Sequence, residues 1–352
     1  MSKLYRLIII GICTTILIMS CDRPKDGRLQ PNRQADLPEN LVTLANPESC
    51  RLIQHQMGKT EICHRPQKVA ALSPFVLDSM LALGVQPVAY AEAKDLNIKT
   101  YDHPTKQIPY MGKWVATKPT GLGDRSSPSL ERLALVKPDL ILGEEWQVED
   151  EYPLLNQIAP TLLFSNQQEN GQQGWQHNIQ EIAKALEREA QAEKVLTAFE
   201  RQIAKTRALL QPVLQTYPRI LLIGSNLTTY VASQPKSTTG RLLEEIGFEV
   251  VQPPGVQGYA ELSWEILPQI ETDIIIVLSW SDRVFVNPEN TLQKKWANNP
   301  LLNSMPVFQQ GRVHFVDYQL FGSNIGGPLS DRLILEALPD LLLDSVKDKN
   351  SA

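Results

Sequence analysis

From Lys68 onward, short apolar runs alternate with helix-length amphipathic segments. "KVAAL" reads as a short strand, and "SPFVLDSMLALG" as a helix with Ser73 as N-cap, Pro74 in its first turn and Gly84 as its stop. "VQPVAYAE" is strand-like. "SPSLERLALVKP" opens a second helix, with Ser127 and Pro128 repeating the cap, and "DLILG" and "TLLFS" return to strand. Gly174 to Leu210 differs: it has no proline, and no glycine after Gly174. Trp175, Ile179, Ile182, Leu186, Leu196, Phe199, Ile203 and Leu210 fall at helical spacing, which predicts one helix of 37 residues, about 55 Å long. Pro212 and Pro218 are expected to end it. A second alternating series follows: "RILLIGS", "TTYVAS", helix "TGRLLEEIG", "FEVVQ", helix "SWEILPQIE", "TDIIIVLS", "RVHFV" and a closing helix from Ser330 to about Val346 that Pro339 kinks or splits. Strands alternating with helices imply parallel sheets covered by helices.

The two series share an internal echo. "SLERLALVKPDLIL" from Ser129 aligns with "SWEILPQIETDIII" from Ser263, pairing Glu131 with Glu265, Leu133 with Leu267 and Asp139 with Asp273. One βα unit is used once per half. The expected architecture is α/β: two Rossmann-like lobes with parallel sheets, joined by one long inter-lobe α-helix, with a ligand cleft between them. The boundaries read as a signal segment over 1–20, a linker over 21–49, an N-terminal lobe over 50–170, the bridging helix over 171–213 and a C-terminal lobe over 214–352.

The first twenty residues carry only Lys3 and Arg6 as charges, and the apolar run Leu7 to Met19 spans 13 residues. A membrane-crossing helix needs about 20, so the run reads as a secretory signal. Ile18-Met19-Ser20-Cys21 resembles a bacterial lipobox, which makes Cys21 the expected lipidation site, an ordinary signal or an N-terminal membrane helix being the alternative. Asp22 to about Ser49 is polar and proline-bearing, a tether rather than a fold. Cys50 and Cys63 remain as an even pair in an exported chain, flanking two short strands around a Met-Gly-Lys turn. They are expected to form a disulfide, with two buried free thiols as the alternative. The formal charge is −5. It falls to −7 once Lys3 and Arg6 leave with the signal, which argues against a nucleic-acid partner. The 300 or so residues beyond the tether are too many for one small core, again indicating two lobes.

The segments "RPQKVAALSPFVLDSMLALGVQPV", "PSLERLALVKPDLILG", "LLNQIAPTLL", "ELSWEILPQIETDIIIV" and "WANNPLLNSMPVFQQGRVHFVD" together resemble the periplasmic substrate-binding proteins of iron-siderophore and cobalamin ABC importers, the class with a single long helix. "CRLIQHQMGKTEICHRPQKV" resembles the ferric-siderophore branch. The resemblance implies an extracytoplasmic, lipid-anchored receptor, in the periplasm or on the outer face of the cytoplasmic membrane, that captures a ferric chelate and delivers it to an ABC permease. It also implies that Glu131 and Glu265, one exposed glutamate per lobe, dock the permease subunits. A cobalamin or haem receptor is the alternative within the class. An enzyme, or a partner-binding surface lipoprotein on the same scaffold, is the alternative outside it.

Ligands of open α/β sheets bind beyond the carboxyl ends of the strands. That rule singles out Trp114 with its neighbour Lys113, Trp146, Arg241, Trp280, Arg283 and Tyr318. Indole and phenol rings with arginine forks suit a bulky, partly aromatic, anionic ligand. Iron inside a hexadentate chelator needs no protein ligand, so no cofactor and no protein metal site is expected, and the five histidines show no metal-type spacing. No Gly-x-Ser-x-Gly elbow, phosphate loop or dinucleotide fingerprint occurs, which gives catalysis no support. "GDRSS" and "GSNIGG" read as plain glycine-containing turns.

Overall fold

A computed structural model describes residues 50–93, 97–165, 174–226, 231–253, 255–256, 259–280, 289–322 and 325–346. Cys21 and Arg283, together with the signal and tether, lie outside these residues. Among the described residues no helix is long and apolar enough to cross a membrane.

The chain enters as an antiparallel hairpin, β1 (Arg51–His55) and β2 (Gly58–Ile62), whose ends are tied by the Cys50–Cys63 disulfide. Gly58 takes φ +115 at the turn, a region that disfavours side chains. Ile53 and Ile62 point into the first core.

The first lobe holds β3 (Val69–Ala71), β4 (Pro87–Glu92), β5 (Thr120–Asp124), β6 (Leu140–Glu144) and β7 (Thr161–Phe164). They form one all-parallel sheet in the order β5-β4-β3-β6-β7. The second lobe holds β8 (Arg219–Asn226), β9 (Val231–Ser233), β10 (Glu249–Val251), β11 (Ala260–Glu261), β12 (Ile274–Trp280) and β13 (Val313–Asp317). Here β12 lies between β8 and β13, all parallel. β10 runs parallel to the first half of β8, and β9 antiparallel to its second half. The central strands are apolar along their length because helices cover both faces, as parallel sheets require.

Among the described residues, the helices of seven residues or more are α1 (Pro74–Ala82), α2 (Leu130–Val136), α3 (Tyr152–Ile158), α4 (Gly174–Leu186), α5 (Glu189–Thr216), α6 (Thr238–Ile246), α7 (Glu289–Ala297) and α8 (Pro328–Leu342). Ser73 caps α1 through the Val76 N–H as expected. The long inter-lobe helix is present but shorter than the 37 residues expected: the chain breaks between α4 and α5, where Glu187 adopts φ +54. Its carboxylate meets Arg51 of the hairpin at 2.5 Å. The hairpin also binds α4 through the Gln54 N–H to Glu181, at 2.9 Å, and Lys184 to the Leu52 carbonyl, at 2.7 Å. α5 then runs 28 residues, about 42 Å, straight through Pro212. Proline removes one backbone hydrogen bond, and so near the helix end the last turn still closes, with the Thr216 hydroxyl on the Pro212 carbonyl.

α8 also joins the lobes. It packs against α5 in the second core, but its first turn is held by the first lobe. The Asp78 carboxylate, buried on α1, accepts the Leu329 N–H at 2.7 Å and the Ser330 N–H at 2.8 Å. Gly327 permits this approach: a Cβ there would lie 2.5 Å from the Asp78 carboxyl carbon. The Trp175 indole of α4 donates to Asp331 at 2.7 Å, and Asp331 is also paired with Arg241.

Candidate functional site: the inter-lobe cleft

The two sheets share a connection pattern at their centres. Val69 of β3 pairs with Leu140 of β6, and Ile220 of β8 with Ile274 of β12. One residue earlier on each strand, an aspartate clasps the neighbour's start. Asp139 accepts the Gln67 and Lys68 N–H groups at 2.8 and 2.9 Å. Asp273 accepts the Arg219 N–H at 3.0 Å and two bonds from its guanidinium. The internal echo therefore has a structural meaning at its aspartates.

The same 134-residue offset extends past the echo's strands to Trp146 and Trp280, so the two tryptophans stand at equivalent places in the two lobes. Both lie at the carboxyl ends of central strands, beside the point where strand order reverses, the usual ligand position in such sheets. Trp146 is 45% exposed, on the short turn Glu145–Val148 after β6. Trp280 ends β12 and meets the Tyr318 ring edge-on, with centroids 6.2 Å apart.

Arg125 lies immediately after β5. Its guanidinium stacks 5.3 Å over the Trp146 ring and pairs with the buried Glu144 at 3.4 Å. Glu92, at the end of β4, is also buried and accepts the Tyr90 hydroxyl at 2.9 Å. Burial pushes the Glu92 and Glu144 carboxyls above the usual carboxylate range, and the Arg125 charge pulls both back. Arg125 acts across the cleft as well. Burial and the nearby Tyr259 raise the Tyr318 phenol, and the guanidinium lowers it. The lobes touch at Tyr110, whose hydroxyl bonds Asp317. Asp317 in turn caps the helix Tyr318–Phe321 through the Gln319 N–H at 2.9 Å, which fixes where Tyr318 starts.

Trp146 therefore stands beside Arg125 and Trp280 beside Tyr318, with the Arg125 charge felt at the Tyr318 phenol. Trp114 stands apart. It sits on the turn Met111–Trp114 against the first core, and its carbonyl binds Gln86 just before β4, at the opposite end of the sheet. "PYMG", placed before it in sequence, is not a strand. Lys113 lies over the Trp114 ring at 4.2 Å. Arg241 is also elsewhere: it lies on α6, bound to Glu245 at 2.7 Å and to Asp331, with its guanidinium 6.0 Å from the Phe199 ring. Both ends of its fork are occupied by structural partners. Arg125 takes the place these residues were expected to fill. It belongs to "GDRSS", in which Gly123 and Asp124 end β5 and Arg125 and Ser126 form the turn that follows. The signal was the strand "TGLGD" before it, obscured by two glycines.

Glu131 and Glu265 are both exposed, in the first turns of α2 and of the short helix Trp264–Gln269. In a βα unit the following helix starts at the carboxyl edge of the sheet, so both glutamates lie at the cleft end of their lobes.

The profile of the periplasmic binding protein family matches residues 69–320. The chain belongs to that family. Members are substrate-binding proteins, located outside the cytoplasm. Fe(3+)-citrate-binding protein YfmC of Bacillus subtilis is 26% identical over 270 residues, covering 76% of this chain and 78% of YfmC. YhfQ of the same organism, assigned provisionally as an ABC-transporter substrate-binding lipoprotein, is 28% identical over 278 residues, covering 75% of this chain and 80% of YhfQ. Among solved structures, siderophore-binding protein FhuD of Vibrio cholerae with Fe3+-Desferal superimposes with a TM-score of 0.63 at 25% identity, covering 79% of this chain and 98% of FhuD. The two-lobed α/β architecture is thus that of the family's siderophore-binding members.

Proposed function

We propose that this protein is a lipid-anchored extracytoplasmic receptor that binds a ferric siderophore or ferric citrate-type chelate and passes it to an ABC permease. The observation that carries the reading is the pair Trp146 and Trp280, one from each lobe at equivalent positions, with Arg125 beside the first and Tyr318 beside the second. Flat rings grip the outside of a chelate, and a guanidinium forks onto its oxygen donors. The iron stays within the chelate, as cargo. Arg283, three residues past Trp280 in sequence, adds a second guanidinium to this reading. Glu131 and Glu265 dock the permease, one per lobe, and lipid on Cys21 keeps the receptor at the membrane.

Binding is tested by tryptophan fluorescence on the full chain in detergent, titrated with ferric hydroxamates, ferric catecholates, ferric citrate, haem and cobalamin. Saturable quenching by at least one ferric chelate is expected. Saturation by haem or cobalamin alone would replace the siderophore reading with the second reading of the class, and a flat response to all five would end the receptor reading.

A further inference from the structure

We propose that Glu144 takes up a proton from solvent when an anionic chelate enters the cleft. This rests on the ferric-chelate reading above and deepens it, naming the charge of the cargo and the group that accommodates it. Glu144 ends β6, two residues before Trp146, and its side chain is fully buried. Its Oε2 has the Arg125 guanidinium at 3.4 Å. Its Oε1 is buried with no hydrogen-bond partner. Glu92, the other buried acid at this edge, is better supplied: one oxygen accepts the Tyr90 hydroxyl at 2.9 Å and the other the Ala93 N–H at 2.7 Å. Of the two, Glu144 depends more on Arg125.

The groups around Glu144 are few. β4 presents Tyr90 and Glu92, with Tyr101 against Tyr90. The end of β5 presents Asp124 and Arg125, and β7 the apolar Phe164. From the second lobe Tyr318, with Tyr259 near it, lies within reach of the Arg125 charge. Burial pushes the Glu144 carboxyl up, and the Arg125 charge, then the Ser73 and Trp146 side chains, pull it back.

An anionic chelate seated against Trp146 sets a second negative charge beside the guanidinium that Glu144 relies on. A buried carboxylate has no water to turn to, so it neutralises instead. A solvent proton adds to the carboxylate, one O–H bond forms, and Arg125 keeps its charge, now shared with the cargo alone. An uncharged chelate brings no such change. Glu144 is thus a positioning residue, acting on the cargo through Arg125.

Isothermal titration calorimetry of the full chain in detergent, at pH 7 in two buffers of different ionisation enthalpy, counts the protons taken up per chelate bound. The probes are ferric citrate and ferric enterobactin, both anionic, and ferrichrome, uncharged. Uptake approaching about one proton is expected with an anionic chelate and none with ferrichrome. Affinity for the anion should then rise by up to about tenfold per unit fall in pH between pH 8 and pH 6. Glu144→Gln should abolish the uptake and flatten that slope. An anionic chelate that binds the wild-type protein without proton uptake overturns the proposal, and that result needs no variant to fold. Equal uptake with ferrichrome, or a folded Glu144→Gln protein that keeps the wild-type slope, also overturns it. Binding of ferrichrome with neither anion bound overturns it while leaving the receptor reading intact. Failure of all three, with haem or cobalamin binding instead, refutes the ferric-chelate reading itself, a separate result.

Discussion

Asp78→Ala removes the acceptor for two backbone N–H groups at the start of α8, those of Leu329 and Ser330. Each N–H left unmatched in a buried site costs about 1–3 kcal/mol, and loss of an N-cap falls in the same range. The pair is worth about 2–6 kcal/mol, a large share of the roughly 5–15 kcal/mol that holds a folded domain. The carboxyl's own titration modulates this. Burial pushes Asp78 up to about 7, against the pull of the Leu329 and Ser330 hydrogen bonds, and the Asp331 charge adds to the rise. An acid whose pKa is higher folded than unfolded binds its proton more tightly in the native state. Its contribution is therefore full below about pH 4, the unfolded value, and declines as pH rises toward 7. Urea unfolding followed by tryptophan fluorescence, at pH 5 and pH 8, measures both effects. The penalty of Asp78→Ala should be larger at pH 5. It should also split one transition into two, because the clasp joins the lobes. A penalty below about 1 kcal/mol at pH 5, within the range of an ordinary surface substitution, would refute the reasoning, as would a larger penalty at pH 8.

Three further outcomes are expected. Cys50→Ser with Cys63→Ser opens a loop with a sequence separation of 13 and should cost about 3 kcal/mol by denaturant unfolding, with no loss of the second lobe's transition. Asp273→Asn should destabilise by about 1–3 kcal/mol near neutral pH. Burial raises the Asp273 pKa, but hydrogen bonds from the Arg219 side chain and N–H and the Arg219 and Arg312 charges outweigh it and hold the carboxyl below its usual value. The penalty should thus be full above about pH 4 and vanish as pH falls below it, in unfolding curves taken from pH 7 to pH 3. Glu131→Ala with Glu265→Ala should abolish iron uptake by cells while chelate affinity stays at the wild-type value in fluorescence titration; normal uptake would remove the docking role.

Where local chemistry decides structure, the sequence was readable. Both sheets, the Ser73 and Pro74 helix start, the hairpin with its disulfide, and the Glu131/Glu265 echo follow from periodicity, caps and spacing. What stayed hidden is non-local. Glu187 breaks the long helix with no glycine or proline to mark it, and its Arg51 partner lies 136 residues away. Asp78 reads as a polar residue within an apolar helix until the start of α8 arrives as its partner. Trp114 and Arg241 follow segments that looked like strand ends, but one belongs to a turn at the far edge and the other to a helix face turned toward Asp331 and Phe199. Arg125 was missed for the converse reason: the strand it follows looks like a loop. The equivalence of Trp146 and Trp280 was present as a constant offset and needed only to be followed four residues further.

The clasp at Asp78 also bears on how the chain matures. The carboxyl is placed in the first helix, and its donors are made 251 and 252 residues later. Until they emerge, the amino-terminal half holds a dry acid with nothing to satisfy it, and its native packing stays incomplete. Domains usually fold in order as synthesis proceeds; here one clasp of the early half is closed only by the tail. For a polypeptide threaded unfolded through a membrane, such a clasp closes only when the last helix has crossed.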